Sequence, residues 1–153
     1  MEISTQDLRS TEVRLARHGL RATGHLQYDG SDCAEHSYGI VHDFFLRRPC
    51  TALYRAQFEV RDKKGDVVLV AVSWVKMPDE DGARSYQQLV DTGGTGNITE
   101  LSREDGRYRT VRYTGYQYVS RRNGTVVANA QAEPVARGWT GLALTSIADN
   151  AIR

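Results

Sequence analysis

The sequence predicts an α+β domain with a mostly antiparallel sheet of about five strands and helices packed on a face, in the order α-ββ-α-βββ-α. Three observations carry that prediction. Residues 53–61 alternate apolar and polar with period two, 67–76 are apolar on both faces, and amphipathic helical stripes flank these runs on either side. At 153 residues the chain is long enough to bury a real core as a single domain.

The first 12 residues are polar and without period, and a flexible end is expected there, with the domain proper over 13–153. From Asp32 a helix is expected, Asp32 capping and Glu35 answering three residues on. Ala34, Tyr38, Val41, Phe44 and Phe45 form its stripe, and Pro49 stops it. Leu53 to Arg61 reads as a half-buried strand with one wet face. Val67 to Lys76 reads as a central strand covered on both sides. Pro78 stands where a first helical residue prefers to be, Asp79, Glu80 and Asp81 complement the helix dipole, and Ala83, Tyr86, Leu89 and Val90 make the buried stripe.

A short strand is expected near Asn97 to Ser102 and a long one over Tyr108 to Arg121. Asn123-Gly124 favours a type I′ hairpin into a return strand, Val126 to Glu133, which Pro134 ends. Ala143, Leu144, Ile147, Ala148 and Ala151 lie on one arc of a closing helix.

Charge narrows the function classes. There are 20 Lys+Arg against 19 Asp+Glu, a net +1, which argues against a dedicated nucleic-acid binder. Of the basic residues 17 are Arg and 3 are Lys, a skew that a GC-rich genome explains as well as any use of the guanidinium fork. No apolar run approaches the ~20 residues of a membrane helix. Met1 to Arg21 mixes charges through every apolar stretch, so the chain reads as cytoplasmic, or as extracytoplasmic if a leader has been removed.

All four histidines and both cysteines lie within the first 50 residues. A zinc site could combine Cys33 and His36 with His42, Cys50 or His25, but six residues between His36 and His42 is a poor interval for a shared helical face, and no metal or other cofactor is expected. Cys33 and Cys50 are either two buried thiols or a disulfide. The bond needs Cα atoms within about 7 Å, so it requires the helix to start nearer Ser37, with residues 32–36 folded back as loop. The two expectations compete. For acid–base chemistry, His36 with Asp43, or His42 with Glu35, would share a helix face at a spacing of seven. No nucleophile elbow, zinc-protease helix or P-loop is present. The glycine-rich run Asp91 to Asn97 leaves a helix and enters a strand, the reverse of a phosphate loop, and reads as a helix C-cap and turn.

In the strand read over Tyr108 to Arg121, Tyr108, Arg112, Tyr116 and Tyr118 fall on one face, suited to stacking and polar recognition of a protein or small molecule.

The segments Asp32-Cys33-Ala-Glu-His36-Ser-Tyr38-Gly39, Pro49-Cys50, Met77-Pro78-Asp79, Gly94-Thr-Gly96-Asn97 and Ala130-Gln-Ala-Glu133-Pro134 together resemble uncharacterised small domains of actinobacterial proteins, often exported or membrane-tethered. That resemblance implies an extracytoplasmic setting with Cys33 and Cys50 oxidised, and it assigns no chemistry to any residue. The expected function is a non-catalytic domain binding a protein or a small molecule. The alternative is a small cofactor-free enzyme with His36 or His42 as base and Asp43, Tyr38, Tyr116 or Tyr118 as partners.

Overall fold

The structure, a computed structural model, describes residues 5–104, 108, 111, 113, 117–135 and 143–152. Five strands form one antiparallel sheet in the order β1-β2-β3-β5-β4: β1 (Arg21–Gly30), β2 (Ala52–Arg61), β3 (Val67–Lys76), β4 (Tyr118–Asn123) and β5 (Val126–Pro134). The helices are α1 (Thr5–Ala16), α2 (Gly39–Arg47), α3 (Glu80–Val90), the single turn α4 (Leu101–Glu104) and α5 (Leu144–Ala151). The α+β class and the antiparallel sheet are as the sequence predicts. Among the described residues no helix is long and apolar enough to cross a membrane.

Because side chains alternate across a strand, each central strand serves two layers. One face carries Tyr54, Ala56, Phe58 and Val60 from β2, Val68, Val70, Val72 and Trp74 from β3, and Val126, Ala128, Ala130 and Ala132 from β5. It is sealed by Leu15 from α1 and by Ile147, Ala148 and Ala151 from α5. The other face divides in two. Near Leu53, Val75 and Val127 it is apolar and packs under Val41, Phe44 and Phe45 of α2 and Ala83, Tyr86 and Val90 of α3. Beyond that point it turns polar, with Arg55, Gln57, Glu59, Ser73, Asn129 and Gln131 all buried.

That buried polar half corrects the wet face expected of β2. Arg55 is 1% exposed, because residues 97–104 cross over it: its guanidinium donates to the Thr99 carbonyl at 2.9 Å and meets the Glu104 carboxylate at 2.8 Å. The crossing segment replaces the short strand expected over 97–102. Ile98 makes one isolated bridge to Ser37, and residues 101–104 coil into α4.

The N-terminal segment, expected to be flexible, is helical from Thr5, anchored where Thr11 donates to the Ala151 carbonyl and Arg14 to the Asn150 carbonyl. The helix expected from Asp32 starts at Gly39. Asp32 does accept the Glu35 amide at 2.9 Å, but it caps a turn over 33–36, folded back so that Cys33 and Cys50 come to a Cα–Cα distance of 6.1 Å and form a disulfide. At α3 the cap is Asp79, which takes the Gly82 amide at 2.7 Å, so Pro78 precedes the cap instead of opening the helix. The β4–β5 loop is Gly124-Thr125, with positive φ (61°) at glycine alone. This is the pattern of a II′ turn, with Asn123 paired to Val126 inside the ladder.

Candidate functional site

Three hollows stand out, and their sizes separate them. One, of about 10 Å³, lies over the polar half of the sheet among Arg55, Ser73, Glu100 and Asn129, with room for a single water. A second, of about 210 Å³, sits beside the disulfide against Phe45, Leu46 and Pro49. The third, of about 340 Å³, is within the range of small-molecule sites and is lined by Tyr38, Tyr113, Tyr118, Asp91, Asn97 and Gln131 together with the glycines of the 93–96 loop. It is the candidate site.

Its floor comes from a backbone zipper between residues 36–41 and 95–99. The Tyr38 amide donates to the Asn97 carbonyl at 3.1 Å and the Thr99 amide to the His36 carbonyl at 2.7 Å. The Val41 amide, an orphan donor in the first turn of α2, finds the Thr95 carbonyl at 3.0 Å. Tyr38 caps α2 without a side-chain bond, so this borrowed carbonyl does part of the capping. The Thr95 hydroxyl in turn lies 2.7 Å from the Leu89 carbonyl and 2.7 Å from that of Thr92, fixing the glycine loop to the end of α3.

The wall is built from β4 and β5. Tyr118 and Ser120, two residues apart on one face of β4, both donate to Asp91, at 2.8 and 3.0 Å. Asn129 donates to Asn97 at 3.1 Å and Gln131 to Glu100 at 3.3 Å, which ties the crossing segment to the sheet. Arg103 pairs with Glu100 at 3.0 Å and lies 5.3 Å from the centre of the Tyr38 ring. The Tyr113 hydroxyl is buried and has no hydrogen-bond partner.

Three phenols of the lining are shifted upward. Burial raises the Tyr113 phenol well above its ordinary value, and the charges of Glu100 and Glu133 push it further. Tyr118 is raised by burial and then by its bond to Asp91. Tyr38 is raised by burial and by Glu100, with Arg103 opposing.

The residues singled out from the sequence are dispersed. Of the tyrosine and arginine strand, only Tyr118 onward is strand among the described residues. Tyr108 bonds instead to Glu59 on β2, three strands from β4 and so roughly 14 Å across the sheet. Arg112 and Tyr116 lie outside the described residues, as does the side chain of His25. His36 precedes α2, so it shares no helix face with Asp43. Its Nδ1 sits 3.0 Å from Glu104 and 3.1 Å from Arg55, and its ring packs on Tyr28 at 4.7 Å between centroids. His42 Nδ1 donates to the Ala34 carbonyl at 2.6 Å, so the proposed Glu35 pairing is not made, and Asp43 points into solvent from the exposed side of α2. Among the described residues no group of three or more His, Cys, Asp or Glu is placed to hold a metal ion, and the two thiols are committed to each other.

Sequence reasoning missed the roles of Asp91, Asn97 and Tyr113. The signal available was Tyr38-Gly39 together with Gly96-Asn97: two glycines in segments that must touch backbone to backbone. Set against known proteins, the chain matches no family model, no curated protein and no solved structure.

Proposed function

We propose that this chain is a non-catalytic binding domain that receives a small molecule in the cleft between α2, the glycine loop and β4. The observation that carries the reading is the hollow of about 340 Å³ itself, lined by Tyr38, Tyr113 and Tyr118 together with Asp91, Asn97 and Gln131. Aromatic rings with a few convergent polar groups are the usual lining of a small-molecule site. The cofactor-free enzyme needs a histidine and a carboxylate facing a cavity; His42 is bonded to the Ala34 carbonyl, and neither His36 nor His42 is among the described lining of the hollow of about 340 Å³. The Cys33–Cys50 disulfide and the likeness to exported actinobacterial domains support an extracytoplasmic setting, where such bonds persist.

Gly93 gives a clean test. It lines the cleft, a β-carbon there would meet nothing within 4 Å, and its φ is not positive. Gly93→Trp should therefore place an indole at the cleft without disturbing packing. In an NMR-detected screen of small fragments, hits should perturb the amides of Asp91, Asn97 and Gln131 in the parent and vanish in the variant. Hits that ignore the substitution, or none at the cleft, would defeat the reading.

A further inference from the structure

Resting on that binding reading, we infer that the ligand is an organic cation, an ammonium group on a small carbon skeleton, seated against the Tyr38, Tyr113 and Tyr118 rings with Asp91 as its counter-charge.

Three features of the cleft converge on that class. Among its described lining residues there is one carboxylate, Asp91, and no lysine, arginine or histidine. Asp91 spends one lone pair of each oxygen on the Tyr118 and Ser120 hydroxyls and has no basic partner among the described residues, so its charge and remaining lone pairs stay available to the hollow. Aromatic rings present a negative face to a cation, and several around one pocket are the usual way a protein holds a quaternary ammonium, whose weak hydration favours ring faces over water.

An anion suits the site badly. The glycine loop brings backbone amides near the hollow, but the Asp91 carboxylate is part of the same lining and would repel negative charge. Asn97 and Gln131 in the same lining bring amide groups that can bond a hydroxyl a short distance from the charged nitrogen, as in an amino alcohol.

Choline and its neutral isostere 3,3-dimethylbutan-1-ol share shape and hydroxyl and differ in charge, so they isolate the inference. Titrated into the full chain and followed by NMR, choline should bind at the cleft about ten-fold or more tightly than the isostere, and Asp91→Asn should weaken it about ten-fold, with an intact circular dichroism spectrum as the folding control. Choline binding in the parent should also weaken with added salt while that of the isostere does not. Equal affinity for the two probes, each abolished by Gly93→Trp, would overturn the cation assignment and leave the binding cleft standing. Inorganic phosphate binding there in preference to choline would overturn it as well. If neither choline nor phosphate binds, the cation assignment falls, and the fragment screen decides whether the cleft reading falls with it.

Discussion

Gly39 and Gly96 meet face to face: a β-carbon on Gly96 would be driven into the Tyr38 carbonyl oxygen and would lie 3.2 Å from the Gly39 α-carbon, and one on Gly39 would lie 2.8 Å from the Thr95 carbonyl oxygen. Both glycines also hold positive φ, 70° and 96°. This contact is what lets the α2 turn borrow the Thr95 carbonyl and so sets the floor of the cleft.

Gly96→Ala should therefore destabilise the fold by at least about 2 kcal/mol, since the left-handed backbone alone costs about 1–2 kcal/mol and the clash is with backbone that cannot rotate away. Gly93→Ala, three residues earlier in open space, should stay within about 0.5 kcal/mol of the parent. Urea denaturation of the two variants side by side checks this; equal midpoints would show that the zipper does not depend on the glycine contact.

The disulfide closes a loop with a sequence separation of 17 and pins the 33–36 turn ahead of α2. A loop of that length gives about 3 kcal/mol in the chain-entropy picture. The paired substitution Cys33→Ser with Cys50→Ser should lower stability by about 2–4 kcal/mol, and reductant should lower the melting temperature of the parent while leaving the double variant unchanged. A parent indifferent to reductant would refute it.

How much of this was legible depends on what each residue's neighbours are. Val67 to Lys76 announced a central strand because both faces are apolar, and Pro78 with the acidic run Asp79 to Asp81 announced α3, although the cap proves to be Asp79 and not the residue before Pro78. Arg55, Gln57 and Glu59 misled for a physical reason: alternation reports polarity, not exposure, and nothing within β2 says that residues 97–104, more than 35 positions later, will lay polar partners over it. Of the strand expected from Tyr108, the described residues are strand only from Tyr118, and Tyr108 is bonded to Glu59. The cysteines were legible only as a condition. A bond between Cys33 and Cys50 excludes a helix beginning at Asp32, and the structure takes the bond.

Arg55 is the largest fully buried side chain among the described residues, held by the Thr99 carbonyl and by Glu104, with its guanidinium 4.3 Å from the centre of the Tyr28 ring. Removing it strips the crossing segment of its anchor. Arg55→Ala should cost about 3 kcal/mol, as for other broken buried pairs, and Arg55→Lys should recover only part, because a point charge cannot serve a carbonyl, a carboxylate and a ring face together. A change below about 0.5 kcal/mol in denaturant midpoint experiments would mean the polar half of the sheet is not held through Arg55.

Glu104 makes the same pair sensitive to pH. Burial by itself would raise its carboxyl, but the hydrogen bonds from Arg55 and His36, with their charges, outweigh burial and hold it below the ordinary value of 4.5. The folded protein thus favours the ionised form more than the unfolded chain does. The stability this contributes is complete above the unfolded value and is lost as pH falls through the folded one. Glu104 is partly exposed, its side chain at 36%, so solvent screens the pair and the effect is modest. Glu104→Gln should melt about 2–4 °C below the parent at pH 7, and the gap should narrow as the pH is taken down below the ordinary value of 4.5 and the parent's carboxyl itself takes up a proton. A gap that stays constant from pH 7 to pH 3 would show that the substitution acts through packing, and that the charge on Glu104 contributes nothing to holding α4 over Arg55.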